Sequence, residues 1–180
     1  MKTYRKIIAG CCWVTLLVFF AGCAAPQRFW PQEDMIGSET AAPASRQIVL
    51  IASRSSDFKK LLVAKLHEQL AAEGLAQKTI GIKDLPQVDP GNYAAVVVIN
   101  ACLAWGFDAD VQTFLDRQKT DKNIIVLTTS GDGAWLPDKG NRDFDAISAA
   151  SEMTSVDAVA KDVMVNIKSR LHKEKPNLKP

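Results

Sequence analysis

Histidine is almost missing from this chain: of 180 residues, only His67 and His172 carry an imidazole. Both fall at polar positions of helical stretches, so neither a histidine-built metal site nor an imidazole base is expected. No G-x-G-x-x-G, G-x-x-x-x-G-K-[ST] or G-x-S-x-G occurs. That removes the dinucleotide fingerprint, the P-loop and the nucleophile elbow. Charge of one sign is missing as well. The chain holds 22 basic and 20 acidic side chains, and Lys2, Arg5 and Lys6 are the only charged residues among the first 22. The remainder therefore carries 19 basic against 20 acidic groups, a net charge near −1. Such a balance gives no reason to expect a nucleic acid partner. Cysteine is scarce too: Cys11, Cys12 and Cys23 lie near the N-terminus, which leaves Cys102 alone in the rest of the chain. No intramolecular disulfide framework is expected, and a lone Cys102 reads first as a small buried hydrophobe.

The apolar run that bears on a membrane is N-terminal. A basic head is followed by "WVTLLVFFA" and then by small residues, the pattern of a secretory signal peptide. Phe20-Ala21-Gly22-Cys23 resembles the lipobox of bacterial lipoproteins, with Phe20 standing where Leu is usual. The resemblance implies a signal peptide over 1–22 and lipidation at Cys23. An uncleaved anchor over residues 7–25 is the alternative. In both cases the basic terminus stays cytoplasmic and the rest lies outside the inner membrane. Ala24 resembles the residue that sorts lipoproteins to the outer membrane, so the expected location is the periplasmic or extracytoplasmic face of the cell membrane or outer membrane. Residues 24–45 contain three prolines and many small residues without a period, and read as a tether after Cys23.

From residue 46 the pattern becomes that of a folded domain, expected over 46–173 and followed by a solvated tail over 174–180. "QIVLIA" (47–52), "AAVVVIN" (94–100) and "NIIVLTT" (123–129) are apolar runs of strand length, as in strands buried on both faces. "KTIGIKD" and "DAIS" (145–148) are shorter strand candidates. Between the first pair lies a helical stripe of Phe58, Leu61, Leu62, Leu66 and Leu70, with Lys59, Lys60 and His67 largely opposite it. A second short helix carries Val111, Phe114 and Leu115, and a final one Val156, Val159, Val163, Met164, Ile167 and Leu171. Strands alternating with helices predict an α/β fold. The expected arrangement is a doubly wound, parallel, five-stranded sheet of order 2-1-3-4-5 with trimmed helices, and ligands beyond the carboxyl ends of the first and third strands.

"IVLIASRSSDF", "YAAVVVINACLAWG", "NIIVLTTSGDGAW" and "DAISAAS" together resemble the corners of a flavodoxin-like domain. In that family the resemblance implies FMN held by these loops, here through Ser53, Ser55, Ser56, Asn100, Trp105, Ser130 and Trp135. The first corner departs from the family loop: Ser56 replaces a glycine, Phe58 a threonine, and Asp57 adds a negative charge. A helix N-terminus and Arg54 suit an anion, whereas Ser56 or Asp57 capping the helix would use the same N–H groups. Trp105 and Trp135 suit a ring sandwich or the covering of the sheet's edge. "DAISAAS" also resembles the site at which some exported flavoproteins receive FMN on a hydroxyl, which would be Ser151. A response-regulator receiver needs acids where Ser53 and Asn100 stand, so phosphotransfer is not expected. No catalytic constellation is visible. The expected function is a membrane-anchored, flavodoxin-like lipoprotein of the envelope that acts as a binding or interaction module, without a bound cofactor and with an envelope protein as partner. The alternative is an FMN-binding electron-transfer protein at the membrane surface.

Overall fold

Runs of β-branched residues set the centre of the fold. In this computed structural model, residues 32–40, 47–102, 106–118 and 122–173 are described. The proposed signal peptide, Cys23, Trp105 and the tail over 174–180 lie outside them. The chain order is β1 (Ser38–Thr40), β2 (Ile48–Ser53), α1 (Asp57–Ala72), β3 (Ala76–Gly81), β4 (Ala95–Ala101), α2 (Ala109–Arg117), β5 (Ile124–Ser130), β6 (Asp145–Ala150) and α3 (Val156–Lys173). Short 3₁₀ turns over Ile82–Gln87 and Pro90–Asn92 replace a helix between β3 and β4.

The sheet is six-stranded and mixed, in the order β1-β3-β2-β4-β5-β6, with β1 antiparallel to β3 and every other pair parallel. This differs from the expected five-stranded order. The added strand comes from residues expected in the tether, so that expectation is corrected for 33–40. Ser38, Glu39 and Thr40 pair with Thr79, Lys78 and Gln77, because β3 offers an unpaired edge and an edge strand needs little hydrophobicity of its own.

Side chains alternate across the sheet, so two apolar layers form. Val49, Ile51, Val97, Ile99, Ile125 and Leu127 pack under α1 and α3. Leu50, Ala52, Val96, Val98, Ile124 and Val126 face α2, the turn at Ile82–Leu85, and Phe144. Ser56 caps α1, its hydroxyl accepting a hydrogen bond from the Lys59 N–H at 3.3 Å. Gly74 ends the helix at φ +70°. Leu75 N–H donates to Leu70 O, and Gly74 N–H to Ala71 O, both at 3.0 Å. That is the Schellman arrangement that glycine permits. One helical expectation is corrected here. Leu61 is exposed, and Lys59 is buried in its place at 4% exposure, because α1 is turned to bring position 59 to the corner described next. His67 is half-buried, with Nε2 2.8 Å from Thr79 Oγ1. No helix among the described residues is long and apolar enough to cross a membrane.

Candidate functional site

β2 and β4 are neighbours, and the helices that follow them, α1 and α2, pack on opposite faces of the sheet, so their carboxyl ends form its topological switch point. Ser53 ends β2 opposite Gly81 of β3 and Ile99 of β4. Arg54, the next residue, turns toward the α2 side and is 8% exposed. Its guanidinium is surrounded by carboxylates. Nε donates to Asp108 Oδ2 at 3.0 Å and Nη2 to Asp108 Oδ1 at 3.1 Å. Nη2 also donates to Asp110 Oδ2 at 2.9 Å, and Nη1 to Asp34 Oδ1 at 2.8 Å. Burial alone would lower the Arg54 pKa, but the bonds and charges of Asp108, with Asp34 and Asp110, raise it above its ordinary value.

Each carboxylate is itself held. Asp108 caps α2, Oδ1 accepting from the Asp110 N–H at 3.0 Å. Its own N–H donates to Asn100 Oδ1 at 2.9 Å, which shows what Asn100 does at the end of β4: it fixes the loop leading to α2. Asp34 Oδ1 also accepts from the Ile82 N–H at 2.9 Å. Lys59 completes the group. Burial pushes its ammonium down to about 8, Asp108 working against the fall and Arg54 adding to it. A buried cation in the first turn of a helix also opposes the helix dipole.

Each serine expected to wrap a phosphate makes a bond within the protein at this corner. Ser53 Oγ is fully buried and donates to Arg54 O at 2.8 Å. The Ser55 N–H donates to Glu33 O at 2.7 Å, and Ser56 is the helix cap. The structure therefore gathers Ser53, Ser55, Ser56 and Asn100 around one corner, filled by Arg54 and by residues 33–35.

Ser130 and Trp135 belong to the loop after β5. Ser130 Oγ donates to Asp132 Oδ1 at 3.0 Å, and Ala134 N–H to the same oxygen at 3.1 Å. These two bonds, the Ala134 backbone first, hold the Asp132 carboxyl below its usual range. Ser148 Oγ lies 2.6 Å from Gly133 O and 2.7 Å from Trp135 O, tying the loop across β6. The Trp135 ring is edge-on to Phe107 at 6.0 Å, and Phe107 in turn meets Phe144 at 6.4 Å. Trp135 thus extends an apolar layer over the sheet's end. Ser151 is exposed just beyond β6. An open depression of about 340 Å³ lies beside Phe107, Gln112 and Arg142.

Sequence reasoning missed Asp34, Lys59, Asp108 and Asp110. The "DAD" ahead of the α2 stripe carried a capping signal that would have found Asp108. Nothing local marks Asp34 or Lys59.

No family model matches the chain, and no curated protein matches it. Among solved structures, it is similar to an oxidoreductase from Corynebacterium diphtheriae, at 13% identity and a TM-score of 0.48 over 73% of this chain and all of that one. At that overlap nothing of the other protein's chemistry is carried across.

Proposed function

We propose that this chain is a lipid-anchored, flavodoxin-like binding or interaction module of the bacterial cell envelope, which does not use a flavin. The frame is supported by the five parallel strands. Within the six-stranded sheet they follow one another in space as second, first, third, fourth and fifth in chain order. The absence of flavin rests on one observation: the corner that would receive the FMN phosphate holds Asp34 against Arg54. A phosphate there would displace a bonded carboxylate and meet Asp108 and Asp110 at close range, which costs more than the helix N-terminus returns. The anchor is supported by the Phe-Ala-Gly-Cys sequence ending at Cys23.

Titration of the purified protein with FMN tests the first half. Flavin fluorescence is expected to stay unquenched, and saturable quenching would establish the electron-transfer alternative instead. Labelling cells with a palmitate analogue tests the second half: label and membrane association are expected to be lost in Cys23→Ser. Crosslinking of the anchored form should then recover one specific envelope protein.

A further inference from the structure

We propose that the outer edge of β3 and the Arg54–Ile82 corner form a recognition groove for an extended peptide carrying an aspartate, occupied in cis by residues 33–40. The proposal names the partner chemistry of the interaction module above and rests on that reading. The segment sits as a strand-adding peptide does. Its backbone pairs with β3 at Gln77, Lys78 and Thr79. Ser55 N–H donates to Glu33 O at 2.7 Å, and Met35 N–H to Ser53 O at 3.1 Å.

One side chain supplies the specificity. Asp34 Oδ1 takes the Arg54 Nη1 donor at 2.8 Å and the Ile82 N–H at 2.9 Å, with Lys83 Nζ 3.9 Å from Oδ2. Gly81 makes the room: a Cβ there would stand 2.7 Å from Asp34 Cβ. Charge points the same way. Without Asp34, the corner would contain Arg54, Lys59 and Lys83 against Asp108 and Asp110, one negative charge short of balance. A segment bringing one carboxylate restores it.

Beyond Asp34 and Met35, the side chains of the occupant are held only at the surface, where Glu39 Oε2 lies 3.3 Å from Lys78 Nζ. Ser38, Glu39 and Thr40 are all exposed, and Ile36 is 89% exposed. Met35 packs against the apolar layer under α1, so the motif read by the groove is an aspartate followed by an apolar residue on an extended backbone. A partner offering that motif competes with the cis segment, whose effective concentration over a short linker is about millimolar.

The test uses the full chain, as wild type and as Asp34→Lys, and a fluorescein-labelled peptide of sequence Glu-Asp-Met-Ile-Gly-Ser-Glu-Thr. Asp34→Lys sets an ammonium beside Arg54 and is expected to expel the segment, seen as faster hydrogen exchange over residues 77–82. The peptide should bind this variant about tenfold or more tighter than wild type, by anisotropy, and restore the protection. Replacing the peptide's Asp by Asn should weaken binding by about tenfold or more. Unchanged exchange in Asp34→Lys, no binding to its freed edge, or equal affinity for the Asn peptide would each overturn the proposal. So would a dimer that forms by exchanging segments and excludes the peptide. If the variant does not fold, saturating peptide added to wild type should speed exchange at residues 38–40, and unchanged exchange there overturns the proposal. A failed peptide titration leaves the wider reading to the crosslinking experiment, which uses neither peptide nor variant.

Discussion

Arg54 holds Asp108 through two side-by-side hydrogen bonds, Nε to Oδ2 at 3.0 Å and Nη2 to Oδ1 at 3.1 Å, and both residues are buried. The pair joins the end of β2 to the cap of α2. Removing one partner leaves the other charged and enclosed. Arg54→Met is therefore expected to destabilise the fold by about 3–5 kcal/mol, read by urea denaturation. Adding Asp108→Asn should recover part of the loss. Arg54→Lys should recover little, since an ammonium lacks the planar fork. A loss under about 1 kcal/mol for Arg54→Met would show that the network contributes little.

Lys59 should act in the opposite sense. Its folded pKa, lowered to about 8 by burial, lies below the unfolded value of roughly 10.4. The unfolded chain thus binds more protons between those values, and this group makes stability rise with pH across that window. Below it, the native state carries a charge it disfavours. Lys59→Met is expected to raise Tm at pH 7, by an equivalent on the order of 1–3 kcal/mol, with the gap closing toward pH 10. A Tm lowered at pH 7 would mean that attraction to Asp108 outweighs burial.

Burial also lowers the His67 pKa. The neutral ring beside Thr79 is favoured in the fold, so stability from this residue is present above the unfolded value of roughly 6.5 and lost as pH falls through the folded one. Melting curves from pH 7 to 5 should fall less steeply for His67→Gln than for wild type. Parallel curves would remove His67 from the acid response.

Two glycines separate strain from collision. Gly133 and Gly140 both have positive φ, at 70° and 53°. A Cβ on Gly133 would collide with the backbone N of Ala150, whereas nothing lies within 4 Å of one on Gly140. Gly133→Ala is expected to cost about 2–4 kcal/mol, and Gly140→Ala about 1 kcal/mol. Equal losses would mean that the loop moves off β6.

The central strands were legible because burial on both faces leaves unbroken apolar runs such as "AVVVIN", and no tertiary knowledge is needed to see one. β1 was not legible. Three polar residues on an edge have no period, and their pairing depends on an open partner nearly forty residues away. The corner misled for a related reason. Arg54 after a strand looks like an anion ligand, and its true partners sit 20, 54 and 56 residues distant. Lys59 looked like a solvated residue on a helix face, since only the rotation of α1 against the sheet buries it.

β1 is the first described strand to be synthesised, yet it cannot be seated until β2 and β3 have both followed it. Asp34 needs Arg54, 20 residues later, and the Ile82 N–H, 48 residues later. Its strand needs the whole of Ala76–Gly81. A chain emerging N-terminus first therefore makes β2 and α1 while this segment waits in solvent, and can close the edge of β3 only when that strand exists.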